Sequence, residues 1–65
     1  MPSSVIRRFD YDANARRLDI EFVTGRIYSY HSVPARIVAA MRAAGSKGRF
    51  FNQRIRDHFA FTRSG

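Results

Sequence analysis

Hydrophobic and polar residues alternate through the first half of the chain and then change period. From Val5 to Tyr11 the odd positions Val5, Phe9 and Tyr11 are apolar, with Arg7 interrupting them, which is the pattern of a half-buried strand. Asp12-Ala13-Asn14-Ala15 breaks that run. Asp and Asn satisfy nearby backbone groups and tolerate left-handed geometry, so a turn is expected there. Leu18, Ile20 and Phe22 then alternate with Asp19, Glu21 and Val23, the clearest strand in the chain. Thr24-Gly25 turns it, and Arg26–His31 predicts a third strand containing Ile27, Tyr28 and Tyr30. Beyond His31 the spacing becomes helical. Ser32-Val33-Pro34 predicts a helix start, because Ser can cap and Pro is tolerated in a first turn. Over Ala35–Ala44 the residues Ile37, Met41 and Ala44 follow at spacings of four and three, one face of a helix, with Gly45 as its stop. Ser46 predicts the cap of a second helix near Lys47–Phe59, whose Phe51, Ile55 and Phe59 recur every fourth residue, with His58 on the same stripe. Ala60–Gly65 reads as a frayed tail in which Phe61 is the residue able to dock.

Strands in a run followed by helices indicate an α+β fold: a three-stranded antiparallel meander, then two short helices packed on one face of it. Residues 1–65 form one domain, with an ordered core over about 4–59 and a tail over 60–65. A chain of this size buries roughly 60% of its unfolded surface. A catalytic cleft of ~300–1,000 Å³ does not fit beside so thin a core, so an enzyme is not expected. Cysteine is absent, which excludes disulfides and thiolate zinc sites. No apolar run approaches the ~20 residues of a membrane span, and Met1-Pro2-Ser3-Ser4 lacks the features of a signal peptide, so cytoplasmic residence is expected.

Charge changes the picture. The chain carries 12 Lys and Arg against 5 Asp and Glu, a net +7. Residues 1–25 hold four Arg and four acids and net zero, so residues 26–65, with eight basic residues and Asp57, carry the whole excess. Such asymmetry points to a polyanionic partner, and to nucleic acid first. Ser46-Lys47-Gly48-Arg49 is the strongest candidate for chemistry: a helix start offers unsatisfied N–H groups and partial positive charge, Gly48 permits close approach, and Lys47 and Arg49 add charge. At 100° per residue Arg49, Gln53 and Arg56 fall together, opposite Phe51 and Ile55, as a stripe able to track phosphates. A plain helix–helix connector and a solvated helix face account for the same residues. His31 and His58 lie 27 residues apart with no metal-binding motif between them, and no catalytic grouping stands out. Neither a metal nor a cofactor is expected.

Tyr28 and Tyr30 admit two readings, a stacking platform for bases or part of the core. Register decides between them, because a slip of one residue exchanges the faces of a strand. If Phe22–Gly25 is a type I turn with Gly25 in a left-handed conformation, a three-residue loop follows. Ile20 then lies opposite Tyr28 and Leu18 opposite Tyr30, and both tyrosines join the core face. Asp10, Asp19, Glu21, Ile27, Ser29 and His31 form the outer face, too acidic to bind phosphate well. A two-residue loop would place both tyrosines outside.

The ordered set Ser3-Ser4, Tyr11-Asp12, Leu18-x-Ile20-x-Phe22-x-x-Gly25-x-x-Tyr28-x-Tyr30-x-x-Val33-Pro34 and Ala44-x-Ser46-x-Gly48-x-Phe50-Phe51-Asn52-x-x-Ile55-Arg56 resembles the KTSC domain. That family is named for the C-terminal end of some lysyl-tRNA synthetases and also occurs as small free-standing bacterial proteins. Its hallmark is a central Tyr-x-Tyr, here Tyr28-Ser29-Tyr30. The resemblance spans about residues 3–61 and implies no defined activity; RNA binding is what the association with the synthetase suggests. The expectation is therefore a non-catalytic basic module that binds RNA or another nucleic acid through Ser46, Lys47, Gly48, Arg49, Gln53 and Arg56. The alternatives are a protein-interaction or homo-oligomerisation module using the free edges of strands one and three, and a small phosphorylated ligand at Ser46–Gly48.

Overall fold

The computed structural model describes residues 6–64, so the expectations attached to Ser3, Ser4 and Val5 fall outside the described residues. The chain runs β1 (Ile6–Asp12), β2 (Arg17–Phe22), β3 (Ile27–Tyr30), α1 (Ala35–Ala43), α2 (Lys47–Arg54) and β4 (Phe61–Ser64). The strands form one antiparallel sheet in the order β1-β2-β3-β4.

The β2–β3 hairpin has the register that the glycine loop predicts. Gly25 takes φ +92°, its N–H donates to the Phe22 carbonyl at 2.9 Å, and the Phe22 N–H donates to the Arg26 carbonyl at 3.0 Å. Leu18 pairs with Tyr30, Asp19 with Ser29 and Ile20 with Tyr28. At the other end of β2, Asp12 Oδ1 accepts from the N–H groups of Asn14 and Ala15, the turn expected of that sequence. In β1 the register shifts between Ile6 and Arg8. Arg7 is thus the extra residue of a bulge, so Ile6, Phe9 and Tyr11 pack on the core face although strict alternation would separate them.

Leu18, Ile20, Phe22 and Tyr30 of the sheet meet Val33, Val38, Met41, Phe51 and Ile55 in the core. Val33 is the tie between sheet and helices. Its side chain is fully buried, its N–H donates to the Arg16 carbonyl at 2.9 Å, and its carbonyl accepts from the Tyr11 hydroxyl at 2.7 Å. Holding Val33 there requires Ser32 at φ +60°, so Ser32 does not cap α1; the cap position is Pro34, with no side-chain bond. Nor does Gly45 end α1 through a left-handed turn. Ala44 simply becomes extended (ψ 141°), and the Lys47 Nζ donates to the carbonyls of Arg42 and Ala44 at 3.2 and 3.0 Å.

Two sequence expectations are corrected. The sheet has four strands, since the residues read as a tail pair with β3: Phe61 lies opposite Tyr30, Thr62 opposite Ser29 and Arg63 opposite Tyr28. Nothing in the short polar stretch Phe61–Ser64 signals a strand; the unpaired edge of β3 supplies the reason for it. The second helix is also shorter than its periodicity suggests, ending at Arg54 and continuing as turns through His58. Ile55 leaves helical geometry at φ −120° while remaining fully buried, and this bends the chain back so that the Ala60 carbonyl accepts from the His31 N–H at 2.9 Å. Phe59 still packs on the core, from a turn rather than a helix, but His58 is exposed and donates from Nε2 to the Gln53 carbonyl at 3.1 Å.

Tyr30 is 2% exposed and touches the Phe51 ring edge-on, at 5.4 Å between centroids. Tyr30→Ala is expected to destabilise the domain by about 3–5 kcal/mol, as for other buried aromatic truncations. Tyr28→Ala, on the half-buried neighbour, is expected to cost clearly less. Urea unfolding of both variants against the parent measures the difference.

Candidate functional site

The residues expected to bind anions do not form one surface. Ser46 caps α2 as read, its Oγ accepting from the Arg49 N–H at 3.3 Å, and that acceptor is engaged within the helix. Lys47 is half-buried and its ammonium is turned to the last carbonyls of α1. It acts as a helix C-cap, where a cation also complements the helix dipole. Gly48 lies in the first turn of α2, and Arg49 and Gln53 are exposed one turn apart on that helix. Arg56 is exposed too, but it follows the end of α2 and so leaves the Arg49 stripe. Arg54 folds over the ring of Phe50, its guanidinium carbon 5.7 Å from the centroid. Asp12 pairs with Arg17, and Glu21 with Arg7 and Arg8.

Acids and arginines meet on the outer side of the sheet. The outer face carries the expected Asp10, Asp19, Glu21, Ile27, Ser29 and His31. Arg8 Nε donates to Glu21 Oε1 at 2.7 Å, Arg17 Nε to Asp19 Oδ1 at 3.2 Å, and Ser29 Oγ to the same Asp19 oxygen at 2.7 Å. His31 Nε2 lies 3.1 Å from Thr62 Oγ1 across the β3–β4 pair. Every ion pair among the described residues draws its arginine from Arg7, Arg8 and Arg17, all in the electroneutral first part of the chain. The seven arginines from Arg26 onward are exposed.

On the helix side an open groove of about 540 Å³ lies at the β3–β4 corner, which corrects the expectation that so small a domain has no room for a cleft of that size: the groove lies on the surface beside the core and does not displace it. Phe22, Tyr28 and Tyr30 form its floor, with Phe51 of α2 on one side and Phe61 of β4 on the other. Thr24 and Arg26 beside the hairpin loop, and Arg56 and Asp57 just beyond α2 in the chain, complete its lining. The Tyr28 and Tyr30 rings are nearly parallel, 17° apart with centroids at 6.4 Å, and Phe61 lies 5.4 Å from each. Phe61 is 50% exposed, so part of its ring faces solvent at the groove. Thus Tyr28-Ser29-Tyr30 has the register of the core reading: the pair faces the helices, Tyr30 is core, and Tyr28 shows part of its ring in the groove. Phe61, the tail residue read as able to dock, meets both tyrosines. Arg26 in this groove and Arg63, opposite Tyr28 on β4, escaped the sequence reading, because β4 was not legible and a lone arginine beside a turn carries no signal.

The two hydroxyls sit in opposite environments. Arg63, with Arg26 contributing, holds the Tyr28 hydroxyl below its usual range by hydrogen bonding to its ionised form. The Tyr30 hydroxyl is raised to about 12, chiefly by burial and then by Tyr28 and Asp57, with Arg56 opposing them. Alkaline titration followed by ultraviolet absorbance is expected to show an early step that Tyr28→Phe removes and a late step that Tyr30→Phe removes. The raised Tyr30 value favours the protonated folded state. Its contribution to stability is complete below the unfolded value of 10.0 and is lost as pH rises toward about 12. Tyr30→Phe should flatten that loss.

Among the described residues no group of three His, Cys, Asp or Glu could hold a metal ion, and no helix is long and apolar enough to cross a membrane. Residues 2–59 match the family model of the KTSC domain. The chain is 38% identical over 64 residues to an uncharacterized protein of Stutzerimonas stutzeri, covering 97% of this chain and 90% of that one. It is 40% identical over 58 residues to a lysine–tRNA ligase of Nostoc punctiforme, covering 89% of this chain and 10% of the ligase. The crystal structure of a KTSC domain protein from Yersinia pestis shares its fold with a TM-score of 0.88 at 38% identity, covering 100% of this chain and 92% of that one. A family match over nearly the whole chain and a solved relative aligned along all of it make this protein a member of the KTSC domain family.

Proposed function

We propose that this protein is a non-catalytic module that binds RNA or another nucleic acid mainly through its phosphates. The observation that carries the reading is the segregation of charge. Asp12, Asp19 and Glu21 are matched by Arg7, Arg8 and Arg17, so the basic excess of residues 26–65 stands largely uncompensated. Binding there releases condensed counterions from the nucleic acid, and this release supplies most of the driving force for phosphate recognition. Arg49 and Gln53 on α2, Arg56 beyond it and Arg26 at the hairpin loop supply the donors, while Ser46, Lys47 and Gly48 hold the helix start in place. A tRNA-directed enzyme, the lysine–tRNA ligase of Nostoc punctiforme, contains a similar segment in a tenth of its length, which favours RNA among the polyanions.

Homodimerisation through the edge of β3 finds less support. That edge is occupied by β4, which becomes an outer strand in its place, and the other outer strand, β1, presents a bulge at Arg7, a feature that discourages further strand pairing.

Fluorescence anisotropy on a short labelled single-stranded RNA, from ~50 to ~200 mM salt, tests the proposal. Neutralising three or four phosphates at ~0.7 each predicts a slope of log K against log salt of about −2 to −3. Arg49→Ala combined with Arg56→Ala should lower affinity and flatten the slope by about 1.4, whereas Arg7→Ala with Arg8→Ala should change little. Absence of binding at low salt, or equal binding by the Arg49/Arg56 double variant, would contradict it.

A further inference from the structure

We infer that the groove between β4 and α2 is a subsite for one unpaired nucleotide, whose base stacks on Phe61 and Tyr28 while its phosphate lies against Arg26 and Arg63. The inference rests on the nucleic-acid reading above and assigns it a place and a substrate class.

Three independent features of the groove meet there. The first is an exposed aromatic surface. Phe61 is half exposed and lies 5.4 Å from both Tyr28 and Tyr30, its ring tilted 34° and 35° to theirs, so the groove offers aromatic surface with no ring of the protein against it on the open side. Stacking on such a wall is open to any base that is free of a duplex, since every base has a π face. The second is the shape. About 540 Å³, open on one side, accommodates one base and its sugar, and a paired base cannot enter because its partner and neighbours hold it in the stack. The third is the placement of charge at the two ends. Arg26 and Arg63 both act on the Tyr28 hydroxyl, Arg63 from the position opposite Tyr28 on β4, and neither is in an ion pair among the described residues, which suits a phosphate. The other end, at the Tyr30 hydroxyl, holds Arg56 and Asp57. Asp57 would repel a phosphate but accepts hydrogen bonds from the amino group of a base, so the base edge points toward it. The polarity of the groove therefore orients the nucleotide.

This subsite depends on β4. Phe61 and Arg63 lie opposite Tyr30 and Tyr28 on the core side of the sheet, so pairing of β4 with β3 assembles the wall and the phosphate end together.

The test compares a single-stranded oligoribonucleotide with an RNA duplex of equal length, against the parent protein and Phe61→Leu, Phe61→Tyr and Arg63→Ala. Leu retains an apolar side chain for β4 but has no ring. Phe61→Leu is expected to weaken single-strand binding by about 5- to 150-fold, the range for loss of one stacked base, with the salt slope unchanged. Duplex binding should not change, and Phe61→Tyr should restore single-strand affinity. Arg63→Ala should weaken binding and flatten the slope by about 0.7, one phosphate on a single strand. A 2-aminopurine placed in the strand should be quenched on binding to the parent and not to Phe61→Leu. If Phe61→Leu binds the single strand as the parent does, or if duplex binding falls equally, the subsite is wrong while phosphate-driven binding stands. If no RNA binds even at low salt, both readings fall.

Discussion

The hairpin loop ending at Gly25 determines which side of this protein is which. With Gly25 at φ +92° the β2–β3 loop closes in three residues and sets Leu18 against Tyr30 and Ile20 against Tyr28. A slip of one residue would turn both tyrosines to the outer face and bring Ile27 and Ser29 to the core. The rest follows from that register. Tyr30 becomes the aromatic centre of the core against Phe51, Tyr28 falls at its margin, and the outer face is left to Asp19, Glu21 and their arginines. When β4 adds to β3, Phe61 and Arg63 land beside those tyrosines rather than on the acidic side.

A second constraint is the shortness of α2. A helix extended to Phe59 would have continued the stripe of Arg49, Gln53 and Arg56 as one basic ridge. Instead Ile55 is drawn into the core and the chain turns back toward β3. Arg56 and Asp57 are thereby carried to the mouth of the groove, and the candidate surface changes from a ridge on a helix to a pocket between a helix and a strand. The same turn lets β4 pair with β3, so the outer strands of the sheet are β1 and β4 rather than β1 and β3. The groove and the fourth strand come from one structural event.

Much of this was legible in the residues. Alternation at Leu18, Ile20 and Phe22 gives β2, the Asp12–Ala15 turn and the Gly25 loop give the hairpins, and Ser46 gives the start of α2, because each rests on local chemistry. What was not legible depends on contacts between distant segments. Pairing of Phe61–Ser64 is decided by the free edge of β3, and the buried position of Val33 by the Arg16 carbonyl and the Tyr11 hydroxyl. The capping role of Lys47 depends on where α1 happens to end. Charge asymmetry was evident from composition, but the pairing of Glu21 with Arg7 and Arg8, which leaves the second half unbalanced, needs the register of β1 and its bulge.

The central claim is that the two faces of this sheet are functionally unequal: the helix side at the β3–β4 corner binds an unpaired nucleotide, and the outer side does not. Residue-by-residue nuclear magnetic resonance of the ¹⁵N-labelled protein, titrated with a short single-stranded oligoribonucleotide at low salt, tests this most directly. Amide shifts are expected to concentrate at Thr24, Arg26, Tyr28, Arg56, Asp57, Phe61 and Arg63, with Asp10, Asp19 and Ser29 nearly unmoved. Shifts centred on Asp10, Asp19, Ser29 and Thr62, or spread evenly over the surface, would contradict it.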